Sequence, residues 1–152
     1  MHIPAVYSRS EELTISPISL AVREQERAVL LVSPDNYDVL YVINPHMEGM
    51  VGSVNKARAV QQWNQVANAY RSIGIRVEIL SSVKAFPDMV FCANQSFPFI
   101  ESNGQPAVII SKMASHYRQG EEIYFDRWYE ARGYRVIRQL DPPVAFEGMG
   151  DV

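Results

Sequence analysis

The sequence predicts an α/β fold made of two similar strand, helix, strand, strand units, and three observations carry that reading. An unbroken apolar run, Ala28-Val29-Leu30-Leu31-Val32, is followed by a long amphipathic stretch and then by alternating Ile75, Val77 and Ile79. The same succession returns as Ala107-Val108-Ile109-Ile110, an aromatic-bearing helical stretch, and Gly133-Tyr134-Arg135-Val136-Ile137. Each pass closes on a Pro-containing turn and an acidic motif, with a period of about 60 to 80 residues, the length of one stacking supersecondary unit.

Residues 1–27 are polar and irregular, and read as an N-terminal extension to a domain over 28–152. The run from Ala28 to Val32, stopped by Pro34-Asp35-Asn36, is the pattern of a buried strand meeting a turn. Residues 37–43 form a second β-prone run that ends at Asn44-Pro45, because a residue before proline avoids the helical region.

Ser53 offers an N-cap for a helix in which Val54, Ala57, Val60, Trp63, Ala67, Tyr70 and Ile73 recur every three or four positions, with Gly74 just past its end. Ile75, Val77 and Ile79 alternate with Arg76 and Glu78, as in a strand with one wet face. In the second unit a shorter helix over 121–132 carries Phe125, Trp128 and Tyr129. These aromatics, with Trp63 and Tyr70, lie at helical spacing and read as packing groups.

Composition narrows the function classes. Lys+Arg 14 against Asp+Glu 17, without runs of like charge, gives no basic stripe for nucleic acid and no polybasic membrane anchor. The longest apolar runs are far short of the roughly 20 residues that cross a bilayer. No signal-peptide pattern opens the chain, so cytosol is the expected compartment, and the single cysteine, Cys92, excludes an internal disulfide framework. No glycine-rich phosphate loop or metal-ligand spacing is present, and His46 and His116 form no ligand pattern. A small molecule is the expected partner, with neither cofactor nor metal.

Two segments concentrate polar chemistry: Phe86-Pro87-Asp88-Met89-Val90-Phe91-Cys92-Ala93-Asn94-Gln95 and Phe146-Glu147-Gly148-Met149-Gly150-Asp151. Each is read as placing carboxylate or amide groups on a short apolar strand after a Pro-bearing turn, as walls of one polar pocket. Together with Val32-Ser33-Pro34, Tyr41-Val42-Ile43-Asn44-Pro45 and Arg118-Gln119-Gly120-Glu121-Glu122, in that order and spacing, they resemble the guanidine-modifying pentein superfamily. Its members include dimethylarginine dimethylaminohydrolase, arginine deiminase and the amidinotransferases, and the likeness is greatest to arginine dihydrolases of the cyanobacterial type.

The resemblance implies a partial five-bladed ββαβ propeller, of which roughly two repeats lie here, with substrate on the central axis. It implies a cysteine thiolate attacking the guanidinium carbon and a histidine moving protons, both in the C-terminal half and beyond this chain. The expectation is therefore the N-terminal part of a hydrolase that converts arginine or a derivative to citrulline or ornithine plus ammonia. An amidinotransferase, or a non-catalytic truncated paralogue that binds an arginine-like amino acid, is the alternative. A homo-oligomer or a complementing C-terminal half is a further possible partner, and the isolated chain, with open sheet edges, is expected to aggregate or to be partly unfolded.

By resemblance Asp88 receives the substrate α-amino group and Glu147 orients and stabilises the proton-carrying histidine. Lys112 stands where relatives often carry an arginine facing the α-carboxylate, which keeps the charge and loses the bidentate fork. Asn94 stands where dimethylarginine hydrolases and arginine deiminases have an aspartate. A neutral amide both donates and accepts, so it can also hold an uncharged ureido group.

Plainer readings stand beside these. Asp88 after Pro87 can stabilise a turn, Asn94 can satisfy a bulge, Glu147 can be an exposed loop carboxylate and Lys112 a solvated lysine. Asn44 before Pro45 reads equally as turn former and pocket residue, and Asp151 is a further candidate for the pocket wall. Cys92 reads as a small core side chain.

Overall fold

The computed structural model describes Ile18 and residues 27–138 and 144–151. The N-terminal extension read from 1–27 falls almost wholly outside the described residues.

The first unit is β1 (Ala28–Val32), α1 (Lys56–Ser72) and β2 (Arg76–Leu80), with β1 and β2 parallel from Ala28 opposite Arg76 to Val32 opposite Leu80. The second is β3 (Ser96–Ile100), β4 (Pro106–Ile110), α2 (Glu122–Glu130) and β5 (Arg135–Ile137). Here β3 is antiparallel to β4, and β4 is parallel to β5. Both units therefore contain a parallel strand pair joined by a helix, which is how a crossover connection returns a chain in the same direction.

The two units share one core. Val32 of β1, Met89, Val108 and Ile110 of β4, and Phe125 and Tyr129 of α2 form its buried cluster, with Leu30, Leu80, Phe86, Cys92 and Trp128 packed against it. Burial at that depth pushes the Tyr129 hydroxyl up to about 12, and Ser96 Oγ lies 3.0 Å from it. Cys92 is the core side chain read from the sequence: its Sγ donates to the Leu30 carbonyl at 3.2 Å, and burial raises its thiol pKa.

The long helix has 17 residues and is capped two positions later than Ser53 indicates. Asn55 is the cap, its side-chain oxygen accepting from Arg58 N–H at 3.0 Å. Gly74 closes the helix with φ +81, a conformation that costs glycine nothing. Asn55→Ala is expected to lower the unfolding free energy by about 1 kcal/mol in urea titrations.

Three local expectations are corrected. Residues 37–43 form no strand: Asp38 Oδ1 accepts from the backbone of Val39, Gly52 N donates to Val39 O, and Leu40, Val42 and Ile43 face outward. The run has the residue types of a strand, and among the described residues no neighbouring strand pairs with it. The alternation in β2 does not give one wet face, because Ile79 is exposed with Arg76 while Glu78, held by Arg76 at 2.9 Å, is half-buried. The third correction concerns the candidate site.

Candidate active site

Asp88 and Asn94 lie on consecutive 3-10 turns, Pro87–Val90 and Cys92–Asn94, and not on a strand. Proline at the start of the first turn fixes its φ and needs no N–H partner, so the chain can turn at once. Met89 is inserted fully into the core, and its neighbour Asp88 is carried down with it to 2% exposure. The C-terminal motif behaves alike. Phe146 makes a single antiparallel bridge with Lys112, and the chain then enters the 3-10 turn Gly148–Gly150.

These segments meet at one end of the sheets. The loops carrying Tyr41, Asp88 and Lys112 follow β1, β2 and β4, and Asn94 precedes β3, whose first residue Ser96 pairs with Ile110 at the end of β4. Ligand sites of open parallel sheets lie beyond these carboxyl ends.

Direct contacts join the loops. Tyr41 donates its hydroxyl to Asp88 Oδ2 at 2.8 Å while its ring stacks on Tyr117, centroids 4.1 Å apart and 12° from parallel. Burial first, and then the Asp88 carboxylate, raise the Tyr41 pKa far above that of a free phenol. Gly148 sits with φ +59 against backbone: a Cβ there would lie 2.7 Å from Ser96 O and 2.8 Å from Ala93 O. A Cβ on Gly150 would lie 2.7 Å from Asn94 Nδ2, so the turn bearing Glu147 rests directly on Asn94. Glu147 itself is partly exposed, and its Oε1 accepts from Ala114 N at 3.3 Å. Asp151 Oδ2 accepts from Glu147 N at 2.6 Å, which gives Asp151 a role in shaping the turn.

Lys112 is partly buried and joined to this region through paired backbone hydrogen bonds with Phe146. Asn44 is different. It is exposed, and its side-chain oxygen accepts from His46 N at 3.0 Å to cap its own turn, with no hydrogen bond to Asp88, Asn94 or Glu147 among the described residues.

What the residue-type reading did not assign is the tie between these loops. Arg118, 6% exposed, donates through Nε and Nη2 to the fully buried Glu121 at 3.2 and 2.9 Å, through Nη2 to the carbonyls of Asp88 and Phe91 at 3.2 and 3.3 Å, and through Nη1 to Asn94 Oδ1 at 3.2 Å. Gln95 Nε2 donates to the same Glu121 carboxylate. Burial raises the Glu121 pKa, and the Arg118 guanidinium opposes that rise. The signal available in the sequence was Arg118 and Glu121 at i, i+3 beside Gly120, which marks a local pair but not its four distant partners.

A separate cavity of about 320 Å³ opens at the other end of β1 and β2, among Ala28, Leu30, Arg76, Glu78, Trp128 and Arg132. Its one carboxylate, Glu78, is engaged by Arg76 and Arg132, and the Arg132 guanidinium stacks on Trp128 at 3.8 Å. Among the described residues no three His, Cys, Asp or Glu side chains are placed to hold a metal ion, and no helix is long and apolar enough to cross a membrane.

The model of a family described as N,N dimethylarginine dimethylhydrolase, eukaryotic, matches residues 43–151, a span that contains every candidate residue above. The chain belongs to this family. Within the wider group of dimethylarginine hydrolase relatives it is similar to ArgZ of Synechocystis sp., a bifunctional arginine dihydrolase/ornithine cyclodeaminase, with 40% identity over 123 residues that cover 81% of this chain and 16% of ArgZ. It is 27% identical over 128 residues to the N(G),N(G)-dimethylarginine dimethylaminohydrolase of Mycobacterium tuberculosis, covering 83% of this chain and 39% of that enzyme. The crystal structure of the product-bound N-terminal domain of ArgZ, an arginine dihydrolase of cyanobacteria, superposes with a TM-score of 0.74 at 36% identity, covering 84% of this chain and 44% of that one. The chain thus spans less than half the length of the curated relatives it matches.

Proposed function

We propose that residues 28–152 supply recognition loops of a domain that hydrolyses the guanidino C–N bonds of arginine or a derivative, with water as the acceptor. The observation that carries this reading is the gathering of Asp88, Asn94 and Glu147 onto touching loops at one sheet end, with the Asp88 carboxylate buried. A guanidinium amino acid offers only donors at its head and an ammonium and a carboxylate at its other end, so acceptors and one cation are what its pocket requires.

In this reading Asp88 accepts the α-ammonium, Lys112 faces the α-carboxylate, and Asn94 meets the guanidino or ureido end. Glu147 orients the histidine that carries protons to and from a cysteine thiolate, both contributed from outside these residues. Asn44 takes part at the pocket edge only if its turn moves toward the ligand. Cys92 is not the nucleophile, since a raised thiol pKa and a bond to a backbone carbonyl oppose thiolate formation. In net terms one water converts arginine to citrulline and ammonia, and a second converts citrulline to ornithine, ammonia and carbon dioxide.

The two units are, on this view, the described parts of successive ββαβ blades of a partial five-bladed propeller in a cytoplasmic protein, and a further domain portion or a second copy covers their open edges. The structure of the N-terminal domain of ArgZ bound to its product supports the reading by analogy.

The test is product analysis with the full-length protein. Arginine is expected to yield ammonia with citrulline or ornithine, and the release of neither ammonia from arginine nor dimethylamine from dimethylarginine overturns the reading. Asp88→Asn is expected to raise KM for arginine by about tenfold, the loss of one charge-assisted contact. The analogue δ-guanidinovalerate, which lacks the α-amino group, should show no such rise; an equal rise for both substrates removes Asp88 from that role.

A further inference from the structure

The hydrogen bonds around Arg118 decide which way the Asn94 amide points. A guanidinium only donates, so the Asn94 atom 3.2 Å from Arg118 Nη1 must be the carbonyl oxygen Oδ1; the flipped amide would oppose donor to donor. Arg118 has no freedom to accommodate a flip, because its other nitrogens are held by Glu121 and by the carbonyls of Asp88 and Phe91. The Asn94 nitrogen is left on the side of Gly150 and the Glu147 turn, and among the described residues its hydrogens meet no acceptor. Asn94 is partly exposed, and with Oδ1 engaged its amide nitrogen is the polar atom still unpaired among the described residues.

We propose that Arg118 is a positioning residue that locks Asn94 as a hydrogen-bond donor toward the ligand, so that this position favours a ureido oxygen over a guanidinium nitrogen. The proposal rests on the hydrolase reading above and deepens it. A guanidinium has no oxygen to accept from Nδ2, whereas the ureido group of citrulline has one. An aspartate at the same position would accept from Arg118 with one oxygen and still present an acceptor with the other. The amide oxygen, with one lone pair already committed to the Arg118 cation, is the poorer second acceptor, so donation through Nδ2 is favoured. The lock therefore promotes the second hydrolysis, from citrulline to ornithine.

Two measurements test this. In the full-length protein, Arg118→Lys keeps the charge beside Glu121 but loses the planar fork, and is expected to lower the ornithine-to-citrulline product ratio by about tenfold, as for loss of one hydrogen bond to a charged group. A purely structural loss slows both steps alike and leaves the ratio unchanged. In an Asn94→Asp background the same substitution should leave the ratio where Asn94→Asp alone puts it; an unchanged ratio in the single variant, or an equal shift in both backgrounds, overturns the proposal.

The amide orientation is read without any activity. In wild-type protein, NMR is expected to show nuclear Overhauser contacts from the Asn94 Nδ2 protons to the Gly150 α-protons. Contacts to the Arg118 guanidinium protons instead overturn the lock, even if Arg118→Lys fails to fold. Wild-type protein that releases neither ammonia from arginine or citrulline nor dimethylamine from dimethylarginine defeats the hydrolase reading, and with it the effect on products, while the orientation is still decided by NMR.

Discussion

Glu121→Ala lowers the unfolding free energy by about 3–5 kcal/mol, because it leaves the buried Arg118 guanidinium without its counter-charge. Glu121 is fully buried and accepts from Arg118 and Gln95, so truncation strands donors on both. The double variant Arg118→Met, Glu121→Leu, which removes both charges and keeps volume, should cost less than the single variant. Urea titration of the three proteins checks this, and a loss below about 1 kcal/mol for Glu121→Ala would show that water reaches the pair.

The sign of the pH effect follows from the raised Glu121 pKa. The folded carboxyl holds its proton more tightly than the unfolded one, so its contribution is present below the ordinary glutamate range and is lost as pH rises through the folded value. Glu121→Gln should remove that part of the slope of unfolding free energy against pH.

Gly148→Ala has the second large effect, and it falls on the site. A side chain at φ +59 costs roughly 1–2 kcal/mol, and the new Cβ would lie within 2.9 Å of three backbone atoms of Ala93 and Ser96 that cannot rotate away. The turn must lift, moving Glu147 and separating Gly150 from Asn94. A displacement of about 1 Å at reacting groups lowers turnover by about 10²-fold. Gly104→Ala is the control: φ is +83 and nothing lies within 4 Å of the added atom, so only the backbone strain remains and turnover should hold. Equal kinetics for the two variants would separate the Glu147 turn from catalysis.

The parts of the fold visible in the sequence are those where periodicity and caps act locally. The apolar run Ala28 to Val32, the Gly74 stop and the repeat at Ala107 each became an element near its expected bounds. Strand β3 has a weak sequence signal, because Pro98 breaks its run; the proline is tolerated since β3 is the outer strand beside β4. The motif residues Asp88, Asn94 and Glu147 were visible as residues, but their 3-10 turns were not: Val90 and Phe91 are β-prone, and the inserted Met89 chose the turn instead. Arg118 stayed without a role for a related reason. Its pairing with Glu121 is local, whereas its bonds to Asp88, Phe91 and Asn94 cross 24 to 30 positions of chain.

The Tyr41 phenol resting on Asp88 also furnishes a built-in optical reporter. An ammonium that arrives at that carboxylate competes for the oxygen the phenol now uses, and so alters the ring's polarity and its stacking with Tyr117. Near-ultraviolet circular dichroism should therefore register ligand entry from the protein's own chromophores, and Tyr41→Phe should silence the response.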